Sequence, residues 1–78
     1  MKKRLAILGS TGSIGTQALE VVDANPDLFS VEVLTAYNNA DLLISQALKY
    51  RPSTVVIAND EKYDEVYEAL AIKGFSVF

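Results

Sequence analysis

Strand-forming runs and amphipathic helical runs alternate strictly along the 78 residues, and a turn with glycine at every third position follows the first run. With chain breaks at Asn25-Pro26-Asp27 and Arg51-Pro52-Ser53, these observations predict an α/β fold. The expected form is a parallel sheet with right-handed crossovers and helices on its faces, part of a three-layer Rossmann-type arrangement. Such domains run to about 150 residues, so residues 1–78 are expected to be the truncated amino-terminal part of one, with no catalytic domain.

Arg4 to Leu8 is a short apolar run ending at Gly9, the pattern of a parallel strand buried on both faces. Beyond the glycine turn, Ile14, Ala18, Val21 and Val22 recur at helical spacing as far as Asn25 and Pro26. Val31 to Ala36 is rich in strand formers. After Tyr37 and Asn38, Asn39 is positioned to cap a helix that carries Leu42, Leu43, Ala47 and Leu48 on one face. Thr54 to Ala58 is the third strand. Asn59-Asp60 opens a third helix with Tyr63, Val66, Tyr67 and Leu70 at i, i+3, i+4 and i+7, closed by Gly74. Phe75 to Phe78 resumes as a fourth strand on which the sequence stops, where a domain boundary would offer a polar linker.

Seven Lys and Arg against ten Asp and Glu give a formal charge of −3. No broad positive field is available for a phosphodiester backbone, so nucleic acid is not an expected partner. The chain has no histidine and no cysteine, which excludes disulfides, thiolate nucleophiles, imidazole acid–base chemistry and the usual zinc sites. Its longest apolar run is far below the roughly 20 residues needed to span a bilayer, and no signal-type segment opens it, so the reading is cytoplasmic with no membrane partner. Lys2, Lys3 and Arg4 are read as a solvated strand entrance rather than a targeting segment.

Glycine in a turn between a first strand and its helix opens backbone angles closed to other residues and lets a diphosphate approach the amides. Gly9, Ser10, Thr11, Gly12, Ser13, Ile14 and Gly15 stand at that position. The helix that follows offers unsatisfied amides and a positive dipole end, with Thr11 and Ser13 as hydroxyl donors. Gly15 is followed by Thr16 and Gln17 rather than Lys and Ser or Thr, which sets aside a Walker-type loop. The spacing also differs from GxGxxG, so two roles fit the turn: a dinucleotide cradle, or a turn that only packs helix against strand.

An Asp or Glu at the end of the second strand would bind the adenosine ribose of NAD and repel a 2′-phosphate. Thr35, Ala36, Tyr37, Asn38 and Asn39 contain no carboxylate, which favours NADP, although Asn38 and Asn39 also suit plain turn and cap chemistry. No Arg or Lys lies in this loop. Tyr63 and Tyr67 are read as core residues rather than catalytic phenols. Asp60, Glu61, Asp64, Glu65 and Glu68 are read as a solvated face that complements the helix dipole rather than as a metal site.

The string LGSTGSIG at Leu8 to Gly15, followed by TQALEVV, Asn25-Pro26 and Phe29 before the next strand, closely resembles the amino-terminal segment of the 1-deoxy-D-xylulose 5-phosphate reductoisomerases. The resemblance extends over essentially the whole chain. It implies an NADPH-binding part of an oxidoreductase that rearranges 1-deoxy-D-xylulose 5-phosphate with a divalent metal, Mg or Mn. NADPH then reduces the product to 2-C-methyl-D-erythritol 4-phosphate, in non-mevalonate isoprenoid precursor biosynthesis. It also implies diphosphate contacts at Thr11, Gly12, Ser13 and Ile14, contacts to the 2′-phosphorylated ribose at Tyr37, Asn38 and Asn39, and a homodimeric parent. The metal ligands and the sugar-phosphate site of that family lie in later parts of its chain, so no catalytic or metal-binding residue is expected among these 78. Family members often carry Gly-Lys or Gly-Arg where this chain has Tyr37 and Asn38.

A semialdehyde dehydrogenase or an extended short-chain reductase, which use related glycine turns, and a non-catalytic NADP-binding module with the same half fold remain alternatives. A catalytic Cys, a Tyr-x-x-x-Lys pair, or tight NADPH binding without any further domain would single them out in turn.

Overall fold

The computed structural model describes residues 2–78. The element order is β1 (Lys3–Ile7), α1 (Ser13–Ala24), β2 (Phe29–Ala36), α2 (Ala40–Tyr50), β3 (Thr54–Ile57), α3 (Asp60–Leu70), a 3₁₀ turn (Ala71–Lys73) and β4 (Ser76–Val77). Every element expected from the alternation is present, within one or two residues of its expected bounds except at the end of α3, which stops at Leu70 and passes into a 3₁₀ turn before Gly74.

Local chemistry sets the helix ends. Asn39 caps α2 by accepting from the Leu42 amide at 3.2 Å, and Asn59 caps α3 by accepting from the Glu61 amide at 3.0 Å. Helix α1 stops at Asn25, whose amide donates to the Val22 carbonyl at 3.1 Å and whose side chain donates to Val21 at 2.9 Å, just ahead of Pro26. Helix α2 ends on Arg51 in the left-handed region, φ 56°. The guanidinium of Arg51 lies 5.1 Å from the centre of the Phe75 ring. Gly74, φ 94°, closes the 3₁₀ turn after α3.

The four strands are parallel and lie in the order β1-β2-β3-β4. A fold wound outward on both sides of its first strand would place the fourth strand beyond β1; here β4 adds to β3 instead. Parallel crossovers of one hand in that order put every helix on the same side of the sheet. The core reflects this: Leu19 and Val22 of α1, Leu43 and Ala47 of α2, and Val66 and Leu70 of α3 join Ile7, Val31, Leu34, Val55, Ile57 and Val77 in one cluster. The molecule measures 35 × 26 × 15 Å, a sheet and one helical layer. Residues 2–78 thus supply two of the three layers of the Rossmann-type arrangement.

That geometry alters the reading of the first strand. Ile7 is buried and Leu5 half-buried under the helices, while Arg4 and Ala6, on the opposite pleat, are exposed; β1 is covered on one face only. In β2 the register shifts at Glu32, which has no partner on β1, since Leu5 pairs with Val31 and Ala6 with Val33. The shift keeps Val31 on the helix side before it and Leu34 on the helix side after it.

The buried stripe of α1 is Gly15, Leu19 and Val22, one position out of phase with the expected Ile14, Ala18, Val21 and Val22. Ile14 and Val21 are exposed, because α1 turns its glycine rather than its isoleucine toward the sheet. In α3 Val66 and Leu70 are fully buried, and the five acids face solvent as expected. Tyr63 is half-buried, its hydroxyl donating to the Val77 carbonyl at 3.2 Å. Tyr67, expected in the core, is exposed and stacks on Tyr63 with ring centres 5.7 Å apart.

Candidate functional site

The carboxyl ends of β1 and β2 are neighbours, and the two loops singled out in the sequence leave the sheet there. They are stitched together. The Gly9 amide donates to the Thr35 hydroxyl at 3.0 Å, and the Ser10 amide donates to the Thr35 carbonyl at 2.7 Å. Gly9 has φ 70°, which turns the chain out of β1, and its carbonyl accepts from the Gly12 amide at 3.0 Å.

The three loop glycines have different reasons to be glycine. Gly9 is needed for its positive φ. A Cβ on Gly15 would lie 2.2 Å from the Gly9 carbonyl oxygen, so Gly15 is where α1 packs onto the loop. Gly12 has an ordinary extended backbone, φ −80° and ψ 173°, and a Cβ there would meet nothing closer than 3.5 Å. Neither backbone nor internal packing requires glycine at position 12; its bare surface is on the outside.

Helix α1 begins at that bare surface. Gly12 provides no side-chain cap and the first turn of α1 carries no acid, whereas α2 and α3 each have an Asn cap and at least one acid in the first turn. The first-turn amides and positive dipole end of α1 therefore remain available to an outside acceptor, the arrangement that holds phosphate oxygens. Ser13 and Ile14, 82% exposed, flank this point, and Thr11 is half-exposed. Ser10 differs from its neighbours: it is fully buried, and its hydroxyl donates to Gln46 Oε1 at 2.6 Å while Gln46 Nε2 donates back to the Ser10 carbonyl at 2.8 Å.

The loop after β2 carries Tyr37, Asn38 and Asn39, all exposed. Asn38 Oδ1 accepts from Asn59 Nδ2 at 2.6 Å, tying this loop to the one after β3, and Asn39 is committed through Oδ1 to capping α2. Beside them lies an open polar hollow of about 350 Å³ lined by Asn38, Asn39, Ala40, Asp41, Lys62 and Glu65. Among the described residues the ion pair is Lys49–Asp23 at 3.2 Å, so Lys62 enters the hollow unpaired.

The chain's own residues thus bring together Gly9, Thr11, Gly12, Ser13, Ile14 and Gly15 at one strand end and Tyr37, Asn38 and Asn39 at the next. Sequence reasoning missed four contributors. Thr35 and Gln46 anchor the glycine loop, Asn59 anchors the asparagine loop, and Lys62 lines the hollow beside that loop. Gln46 had a visible signal, a polar residue in phase with Leu43 and Ala47 on the apolar face of α2. Lys62 stood out only as the one base in the acidic start of α3.

Away from these loops, Asp23, Lys49 and Tyr50 fasten α1 to α2. The Tyr50 hydroxyl, donating to Asp23 at 2.8 Å, and the Lys49 ammonium hold the Asp23 carboxyl below its ordinary value. Partial burial and the same hydrogen bond push the Tyr50 phenol up, and Asp23 raises Lys49. No group of three His, Cys, Asp or Glu that could hold a metal ion occurs among the described residues, and no described helix is long and apolar enough to cross a membrane.

The family model described as 1-deoxy-D-xylulose 5-phosphate reductoisomerase matches residues 5–77. A 1-deoxy-D-xylulose 5-phosphate reductoisomerase of Porphyromonas gingivalis is 68% identical over 71 residues, covering 91% of this chain and 18% of its own length. That of Bacteroides thetaiotaomicron is 60% identical over 77 residues, covering 99% of this chain and 20% of its own. Among solved structures, the reductoisomerase of Zymomonas mobilis in complex with NADPH superposes with a TM-score of 0.91 at 32% identity, over 99% of this chain and 20% of that one. A second, in complex with NADPH, fosmidomycin and magnesium, gives 0.89 at 26% identity, over 97% of this chain and 19% of that one. The chain spans about a fifth of the length of the relatives it matches.

Proposed function

The chain belongs to the 1-deoxy-D-xylulose 5-phosphate reductoisomerase family, and from that premise we propose that it is the NADPH-binding part of such an enzyme. The observation that carries the reading is the uncapped, acid-free start of α1 behind Gly12, a glycine that neither its backbone angles nor its neighbours within the chain require. The amides of this turn, with the Thr11 and Ser13 hydroxyls, receive the diphosphate, and Ile14 flanks it as an exposed apolar surface. Gly9 makes the turn and Gly15 seats the helix. Ser10, expected among the cofactor contacts, is instead a support for the turn: its amide, carbonyl and hydroxyl are all bonded within the chain.

Tyr37, Asn38 and Asn39 take the adenosine side. The sequence left the 2′-phosphate without a cation, and Lys62 supplies one across the hollow. Asp41 and Glu65 line the same hollow and oppose it. Both are exposed, so solvent and salt screen them more strongly than the half-buried Lys62.

The whole protein is proposed to rearrange 1-deoxy-D-xylulose 5-phosphate and reduce the product with NADPH to 2-C-methyl-D-erythritol 4-phosphate. Hydride chemistry is the cofactor's own, and this chain's part in it is to bind and orient. The reading assigns the divalent metal and the sugar phosphate to the later parts of the family's chain. The reading includes a cytoplasmic, homodimeric enzyme with no nucleic-acid or membrane partner; the charge of −3 speaks against nucleic acid.

Calorimetric titration with NADPH and, separately, NADH tests it. The samples are the chain itself and the same residues grafted in place of the matching segment of a full-length relative. NADPH binding clearly preferred over NADH is expected in the graft. Loss of the preference there would overturn the assignment of the Tyr37 to Asn39 loop, and loss of all binding would overturn the assignment of the glycine turn.

A further inference from the structure

The side chain of Gln46 reaches from α2 into the glycine loop and makes two hydrogen bonds to one residue 36 positions away: it accepts from the Ser10 hydroxyl and donates to the Ser10 carbonyl. We propose that Gln46 is a positioning residue for the cofactor's diphosphate, fixing the loop in the shape that leaves the first-turn amides of α1 open to an outside acceptor. The proposal rests on the reading of the loop as the diphosphate site.

The chemistry at position 46 is narrow. A carbonyl oxygen only accepts, so the Ser10 carbonyl fixes which end of the amide faces it, and the remaining amide oxygen then takes the hydroxyl proton. Among side chains of this length, only the amide offers a donor and an acceptor side by side in its ordinary uncharged state at neutral pH. Glutamate would set an acceptor against the Ser10 carbonyl and bury a charge, and methionine would fill the space with neither function. Both hydrogen bonds are buried, Ser10 being fully covered and Gln46 7% exposed. A lost bond is therefore not replaced by solvent.

The location gives the bond its consequence. Ser10 sits between Gly9, at φ 70°, and Thr11, in a segment where Gly9 and Gly12 leave the backbone many alternatives. Thr35 anchors the Gly9 and Ser10 amides from the β2 side. Gln46 anchors the Ser10 carbonyl and side chain from the helical side, so the residue is held at every polar atom it has. A loop held in its binding shape before the ligand arrives loses less freedom on binding. Without Gln46, the ordering cost falls on diphosphate binding and on nothing else at the site.

The test compares Gln46→Met with the unsubstituted sequence in the full-length graft, using two probes: NADPH, which carries the diphosphate, and adenosine 2′-monophosphate, which does not. The expected result is about tenfold weaker binding of NADPH, with the monophosphate changed by less than about twofold. Ser10→Ala removes one of the two bonds and is expected to show the same pattern with a smaller loss; it decides the matter if Gln46→Met does not fold. Equal weakening of both probes would mean that Gln46 only fastens α2 to the sheet, and unchanged binding of both would mean that the loop keeps its shape without it. Either overturns the proposal while leaving the cofactor assignment standing, whereas failure of the unsubstituted graft to bind NADPH would overturn both.

Discussion

Gly15 approaches Gly9 so closely that a Cβ on Gly15 would lie 2.2 Å from the Gly9 carbonyl oxygen and 2.7 Å from the Ser10 Cα. Two opposing effects decide what alanine would do there. Alanine gains about 1 kcal/mol of helix propensity over glycine, but the atoms it meets are backbone, held by Thr35 and Gln46, and cannot swing aside. Overpacking of this kind costs about 1–3 kcal/mol. Gly15→Ala is therefore expected to lower the stability of the chain, read as a lower urea midpoint or Tm.

Gly12→Ala should behave the opposite way. Its backbone is extended and its nearest internal neighbour is 3.5 Å away; the poorer cap that alanine makes is offset by the freedom it removes from the unfolded chain, so stability should change by no more than about 1 kcal/mol. The added methyl group stands instead where the diphosphate approaches, and NADPH affinity in the full-length graft should fall at least about tenfold. Unchanged affinity, measured by titration calorimetry, would remove Gly12 from the site.

Lys62→Gln should reduce the preference for NADPH over NADH while leaving NADH binding and the melting temperature unchanged, since Lys62 makes no ion pair among the described residues. Glu65→Gln, which removes a carboxylate from the same hollow, should raise that preference. Both effects should shrink with added salt. A ratio of the two affinities that neither substitution moves would place the 2′-phosphate elsewhere.

The Asp23–Tyr50–Lys49 cluster predicts a pH dependence of stability with two edges. The Asp23 carboxyl is lowered in the fold from its ordinary 3.8, so its contribution is present above that value and is lost as pH falls through the lower folded value. Tyr50 and Lys49 are raised from 10.0 and 10.5, so theirs are present below those values and are lost as pH rises through the folded ones. Asp23→Asn should flatten the acid edge and weaken the alkaline one, as seen in melting temperatures measured across pH. Asp23 and Lys49 are solvent-exposed, so the effect should be small and weaken with salt.

Much of the site was legible because its signals are local. A glycine turn between a strand and a helix, an asparagine one residue before a helix, and a proline after it act through bonds spanning four residues or fewer, and Gly9, Asn39, Asn59 and Pro26 all perform those tasks. The rotation of α1 was not legible. Ile14, Ala18, Val21 and Val22 form as good an apolar stripe as Gly15, Leu19 and Val22, and only the close approach at Gly15 chooses between them.

By itself, then, the sequence determined the alternation of strands and helices, the ends of the helices and the presence of a glycine turn between β1 and α1, since periodicity and capping act within one element. The tertiary structure decided which elements meet. Strand order placed β4 beyond β3 and all three helices on one face, joined Gln46 to Ser10 across 36 residues and Asn59 to Asn38 across 21, and brought Lys62 to the asparagine loop. Those contacts depend on the order and hand of the crossovers, a property of the assembled sheet that no single stretch of chain encodes.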